Sequence, residues 1–293
     1  MPLTLPFHKF VAVSTSLLAC CAVLSQTTTQ ATPAITDGDV GAKLLPLWEL
    51  GVGVATLRVP DYRGSDESGS YVLPLPFFVY RGEWLRADRE GARAILVEAQ
   101  RFEVDVSLAA AVPARNNAAR EGMAELPARV EFGPSTNVEF WSAADRSAKL
   151  ELRAPLRAAF TFQLPPRAVG WTFNPHLNLD LRGIAGGWDL GLQSGAVFGN
   201  RRFHDFLYGV AASEATAQRP AFEARAGYAG WFALAGASRR FESSWVGAFF
   251  RYDNLGGSVV AASPLVKTEQ NLTFGIAASW IFSVSDRLVS AER

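Results

Sequence analysis

Apolar and polar residues alternate singly along most of this chain. Between residues 171 and 182 the odd positions hold Trp171, Phe173, Pro175, Leu177, Leu179 and Leu181, and the even ones Thr172, Asn174, His176, Asn178, Asp180 and Arg182. A β-strand turns successive side chains to opposite faces, so a period of two predicts a ribbon that is greasy on one side and polar on the other. The pattern starts at Trp48, Leu50, Val52 and Val54 and returns at Phe102, Val104, Val106 and Leu108. It is clearest where Leu150, Leu152, Ala154, Leu156, Ala158 and Phe160 oppose Lys149, Glu151, Arg153 and Arg157. Leu272, Phe274, Ile276, Ala278, Trp280 and Phe282 close the series. Turn-forming pairs such as Asn116-Asn117, Asp145-Arg146, Gly186-Gly187 and Gly256-Gly257 separate the runs. The fold class this predicts is all-β, with no composition break to mark a second domain.

Two environments accept such ribbons: a soluble sandwich, and a membrane barrel with lipid outside and a polar lumen. The runs of about 10 to 14 residues are roughly twice the usual soluble strand and suit a tilted bilayer crossing. Bulky aromatics such as Trp171, Trp188, Trp280 and Phe282 stand near run ends, as interfacial anchors do. Charges of both signs sit in mid-strand, which fits a lumen and not a core. We therefore expect a closed antiparallel transmembrane β-barrel over residues 47–282, of about twelve strands, ten and fourteen being the neighbouring even numbers.

The N-terminus reads differently. A single Lys9 precedes an apolar run from Phe10 to Leu24, the layout of a signal peptide. The expected division is 1–25 as signal peptide, with a cut after Ala31 as the later alternative, 26–46 as a periplasmic segment, and 283–293 as a C-terminal tail beyond the barrel. Both cysteines, Cys20 and Cys21, fall inside the export segment, so the mature chain would carry no thiol. The match of "LLAC" to a lipoprotein cleavage box is a minor alternative.

Composition narrows the function classes. The chain has 293 residues, 49% of them hydrophobic and 12% aromatic, too apolar for a disordered protein. Lys plus Arg and Asp plus Glu both number 28, so no net field recruits nucleic acid.

Three stretches carry a resemblance to a known family. "DYRGSDESGSYVLPLPFFVYRG" from Asp61 follows "WELGVGV"; "FHDFLYGVAASEA" starts at Phe203; "FFRYDNLGGSVVAASPLV" starts at Phe249. Together they resemble the outer-membrane proteins called the MltA-interacting protein or OmpV family, over nearly all the mature chain. The usual terminal aromatic would be Phe282, yet 11 residues follow it. The resemblance implies a non-enzymatic outer-membrane scaffold in a Gram-negative cell, linking a murein lytic transglycosylase to a murein synthase of the penicillin-binding protein class, with outer-membrane lipid around it. It implies no cofactor.

Candidate chemistry is sparse. Lys149, Glu151, Arg153, Arg157, His176, Asp180, Arg182, Arg251 and Asp253 are expected to face the lumen, either as a constriction that selects small solutes or as cross-strand pairs that plug the barrel. Near-equal signs favour plugging. A narrow pore is the alternative function, and a lipid-modifying enzyme the weakest, since its His would belong on the lipid-facing side and His176 has the opposite parity. His204-Asp205 reads as loop or rim polarity. Three histidines, one of them His8 in the export segment, make a metal site improbable. "SYVLPLPFFVY" is the oddest run, because Pro74 and Pro76 remove ladder donors; it reads as a rim or bulge, or as a partner-docking rim with Phe77, Phe78 and Tyr80 as anchors.

Overall fold

The structure, a computed structural model, describes residues 44–81, 85–88, 91–99 and 101–290. The expected signal peptide, its alternative boundary at Ala31 and the segment up to residue 43 lie outside the described residues.

The strands follow the alternation. They are β1 (Leu44–Pro46), β2 (Trp48–Pro60), β3 (Ser68–Arg81), β4 (Leu85–Asp88), β5 (Gly91–Ala99), β6 (Phe102–Ala111), β7 (Arg129–Ser142), β8 (Ala148–Thr161), β9 (Ala168–Phe173), β10 (His176–Gly183), β11 (Trp188–Gly199), β12 (Gly227–Arg240), β13 (Ser244–Asn254), β14 (Gln270–Val284) and β15 (Leu288–Ser290). Every pairing is antiparallel, and β2 to β14 form one sheet of thirteen strands. Both β9 and β10 pair with β8 on one side and β11 on the other, so they share one place in the wall and leave twelve places. These pairings, with β14 on β2, close the sheet into a barrel.

The run from Trp171 to Arg182 is thus two strands with a break at Asn174-Pro175, where proline has no N–H to give. The neighbours bridge the break: the Asn174 N–H donates to the Pro155 carbonyl, and the Ala196 N–H to the Pro175 carbonyl. A register shift in β11 between Ala196 and Phe198 lies against the same point. A bulge of this kind bends a strand without opening the wall.

Polarity is inverted relative to a soluble protein. Val72, Ile276 and Trp280 are 71%, 61% and 61% exposed, whereas Glu49, Glu151 and Asp253 are buried. A contiguous apolar exterior of this extent has no stable place in water and is the solvent-facing side of a bilayer protein. Exposed Trp171 and Trp231 stand toward one end of the barrel, and exposed Trp141, Trp280 and Phe282 toward the other, as two interfacial girdles. No described helix is long and apolar enough to cross a membrane; the crossing is made by strands.

The two ends differ. Residues 143–147, 184–187 and 241–243 are short connections at the end where the chain enters and leaves the barrel. Residues 61–67, 112–128, 200–226 and 255–269 are long connections at the other. In barrels of this type the short turns are periplasmic and the long loops extracellular.

The tail after β14 does not hang free. β15 pairs with β1 in a two-stranded ribbon, the Leu47 N–H donates to the Arg287 carbonyl, and the Ser285 N–H donates to the Trp48 carbonyl. The residues on either side of the barrel wall are thereby tied together below its base. Phe282 faces outward in β14.

Candidate functional site

The inside of the barrel is where buried chemistry concentrates, and strand parity places it there. On β8, Leu156 is exposed to the outside, so Lys149, Glu151, Arg153 and Arg157 point inward. On β10, Leu177 is exposed and His176, Asn178 and Asp180 point inward; Arg182, at the strand's end, is exposed. On β13, Arg251 and Asp253 pair with the inward Thr273 and Asn271 of β14.

These charges are paired. Glu151 binds both Lys149, at 2.5 Å, and Arg153, whose guanidinium also lies 3.8 Å from Asp180. Asp180 accepts from the Asn178 amide at 2.7 Å, and Asn178 accepts from Gln193 at 3.1 Å. Arg157 donates to the Ser107 hydroxyl at 2.6 and 3.0 Å. Asp105 accepts from Asn137, and Glu131 from Arg129 and Thr172. Arg251 grips Asp253 in a fork of 2.7 and 2.8 Å, while Arg63 approaches the same carboxylate at 2.8 Å from a loop. A buried charge without a partner costs several kcal/mol, so a lumen that carries both signs settles into pairs. His176 is turned to the Asn174 carbonyl at 2.8 Å and rests beside the Phe232 ring. It faces the lumen and not the lipid surface where an acyl substrate would lie.

The long-loop mouth is filled by a cap. Residues 201–208 form a helix whose amino end is capped by Asn200, which accepts from the Phe203 N–H at 3.0 Å. Phe203, Leu207 and Tyr208 of this helix pack with Val210 of the same loop, with Tyr62, Leu126, Leu255, Val260 and Leu265 from the other three loops, and against the inward wall residues Ala159, Val169 and Phe232. Hydrogen bonds sew the loops together. Tyr62 donates to the Leu265 carbonyl at 2.8 Å, Tyr208 to the Arg63 carbonyl at 2.9 Å, and Ser263 to the Tyr208 carbonyl at 2.7 Å. Arg120 donates to the Leu207 carbonyl, and Arg219 to the carbonyls of Ala119 and Glu121. Gly170 lets the helix approach β9: its φ is +128°, and a Cβ there would meet the Phe203 backbone nitrogen at 2.6 Å. His204 is buried in this cap, not on a rim. Its Nδ1 lies 2.6 Å from the Arg225 carbonyl, and burial holds its pKa below the ordinary histidine value. Burial likewise raises the Tyr62 phenol above its usual range.

The three stretches behind the family resemblance meet here, since Tyr62, Tyr208 and Leu265 belong one to each. At the opposite end Glu49 accepts from Arg81 at 2.7 Å and from Arg240 at 2.9 Å, and Arg81 also donates to the Pro46 carbonyl.

The run around Pro74 and Pro76 needs correction. It is a strand of the wall, β3, whose residues Ser68 to Tyr80 all pair with β2 without a register shift. Among the described residues only Tyr80 and Arg81 pair on its other side, with β4, so the missing N–H groups fall on a strand with a largely open edge, where they cost least. Pro74, Pro76 and Phe78 are exposed outside, and Tyr80 shares their parity and stacks on Phe78; Phe77 points inside, against Trp245. Four of the five expected anchors thus share the outer face, and Phe77 alone stands on the other.

Parity also reveals what was overlooked. The inward positions of β2, β3, β13 and β14 between the two charge clusters carry Ala55, Leu57, Leu73, Leu75, Phe77, Trp245 and Phe249 among glycines. The legible signal was that "VLPLPFFVY" and "SWVGAFF" are apolar at both parities, which asks for an apolar partner on the lumen side. Among the described residues no group of three or more His, Cys, Asp or Glu side chains could hold a metal ion.

Comparison with known proteins gives one family. MltA-interacting protein MipA is matched over residues 52–282. Among solved structures, the COG4313 outer membrane channel from Pseudomonas putida F1 is similar at 12% identity and a TM-score of 0.41, covering 85% of this chain and 100% of that one. A bacterial polysaccharide outer membrane secretin is similar at 8% identity and a TM-score of 0.39, covering 81% of this chain and 99% of that one. No curated protein sequence matches.

Proposed function

Because the chain belongs to the MltA-interacting protein family, we propose that it is a non-enzymatic barrel of the Gram-negative outer membrane, exported by residues 1–25, that holds a murein lytic transglycosylase beside a bifunctional penicillin-binding protein. The observation that supports a scaffold is the sealed mouth. A buried apolar core and four interlocked loops fill the long-loop end, and the charges below it are held in ion pairs and hydrogen bonds. What remains accessible to periplasmic proteins is the other end, with its short turns and the β1–β15 ribbon. Affinity purification of the tagged protein from envelopes in mild detergent tests this. A lytic transglycosylase enriched over a control barrel of equal abundance is the expected result; equal amounts in both would overturn the scaffold.

A narrow pore is the second reading, favoured by one observation: Leu75 and Phe249 face inward and yet are 37% and 36% exposed, so the lumen below the cap holds open space. In planar bilayers a pore would change its ion selectivity on Arg153→Glu or Arg157→Glu. Absence of unitary conductance in the wild-type protein would eliminate it.

A further inference from the structure

The lumen has two unlike halves. In a barrel of twelve places, β14, β2 and β3 stand across from β7, β8 and the shared place of β9 and β10. The second group presents the hydrogen-bonded ladder of Asn137, Glu151, Arg153, Asn178 and Asp180. The first, with β13, presents aromatic and aliphatic side chains on a floor of small residues.

The rings in this half lie close over glycines of the wall. A Cβ built on Gly247 would come within 2.5 Å of the Trp245 ring, and one on Gly275 within 2.6 Å of the Phe249 ring. Each ring therefore occupies the space that a side chain at the glycine would need. Gly53, Ala55 and Ala277 keep the neighbouring floor shallow, and Leu75 and Phe77 stand beside it. Lipid does not reach this surface. Left wet, it forgoes the hydrophobic gain that a ligand covering it would supply.

Its ends are set by charge. Glu49, Arg81 and Arg240 lie below, and Arg63, Arg251 and Asp253 above. From Trp245 to Phe249 the strand rises about 13 Å at ~3.3 Å per residue, the length of a two- or three-ring molecule. Each flanking cluster sets two guanidinium groups against one carboxylate, so both ends carry net positive charge and disfavour a cationic occupant. A sugar, with hydroxyls on every edge, would lose hydrogen bonds against the apolar side. A flat aromatic molecule with one polar group would lose none, because that group can turn to the Arg153–Asn178 wall.

We propose that this half of the lumen is a binding site for a small aromatic molecule bearing a hydroxyl or similar polar group and no positive charge, which stacks on Trp245 and Phe249. Stacked rings add affinity beyond that of the buried area.

The test uses the full barrel in lipid nanodiscs, labelled with 5-fluorotryptophan, the Trp245 resonance being identified by its loss in Trp245→Phe. Titration with 1-naphthol should shift that resonance saturably. Phe249→Ala should weaken the apparent affinity at least tenfold, and Ala55→Leu, which fills the floor, should abolish the shift, while the lipid-facing Ile276→Ala should leave it intact. Heat-modifiable electrophoretic mobility reports whether each variant is a folded barrel. A response that stays linear with concentration means partition into bilayer alone and overturns the proposal. So does a saturable shift that both lumen variants leave unchanged, or one that maltose produces and 1-naphthol does not.

Discussion

Glu49 shows how much a single inward side chain can hold. Its carboxylate is 5% exposed and accepts from two guanidinium groups, Arg81 across the β2–β3 pair and Arg240 from β12, which stands three places away round the wall. The position is not negotiable for a neutral residue. In Glu49→Ala, both arginines would lose their shared partner while remaining 26% and 35% exposed. The expected loss is about 1–3 kcal/mol, below the ~3–5 of a fully buried pair because the arginines still reach water. Urea unfolding in lipid vesicles, followed by heat-modifiable mobility, measures it, and an unchanged midpoint would show that the cluster is ornamental. Outward positions one residue away behave oppositely, since Leu50 meets lipid.

At the scale of elements, the cap is the part most sensitive to conditions. Its helix is short, and an eight-residue helix is stabilised by what it packs on and not by its own propensity. Tyr208 and His204 do that packing, and both are polar groups taken out of water. His204 Nε2 is buried without a hydrogen-bond partner. Burial, with Arg63 nearby, lowers the pKa of His204 below its open-loop value of about 6.5, against the opposing pull of the Arg225 carbonyl and Asp205. The open loop therefore binds a proton more readily than the closed one, so cap stability is present above about pH 6.5 and falls as the pH drops below it. Limited proteolysis within residues 211–221 should speed up between pH 7 and pH 5, and His204→Gln should flatten that dependence. Equal acid sensitivity in the variant would assign the effect to another group. Tyr208→Phe, which removes the bond to the Arg63 carbonyl, should loosen the cap by about 1 kcal/mol at any pH, read by hydrogen exchange of the same loop.

For the whole molecule the governing quantity is which face meets lipid. Ile276 and Ala277 are adjacent in β14, the first 61% exposed and the second turned inward against Gly247 and Ala55. Arginine at position 276 places a charge on the lipid face, at a cost of about 2–4 kcal/mol near the bilayer midplane, whereas arginine at position 277 enters a lumen that already holds charges. Ile276→Arg should lower the fraction of assembled barrel in envelopes well below that of Ala277→Arg. Similar yields for the two would contradict the barrel as oriented.

The sequence by itself determined the strand type, the antiparallel architecture and the division of residues between two faces, because a period of two is a local property that any strand expresses. It carried the inward parity of β8 and β10 on their polar residues alone. The family stretches were also legible, though not what they build. Only the tertiary structure decided that residues from four loops far apart in the chain, such as Tyr62, Arg120, Tyr208 and Leu265, close one mouth, since nothing local tells a loop which other loop it will meet. The same holds for β9 and β10 sharing one place, for the tail returning to β1, and for Phe77 turning inside while Phe78 turns out. Alternation says that two faces differ; which of them is the lumen, and which side chains meet across it, is fixed when the sheet closes on itself.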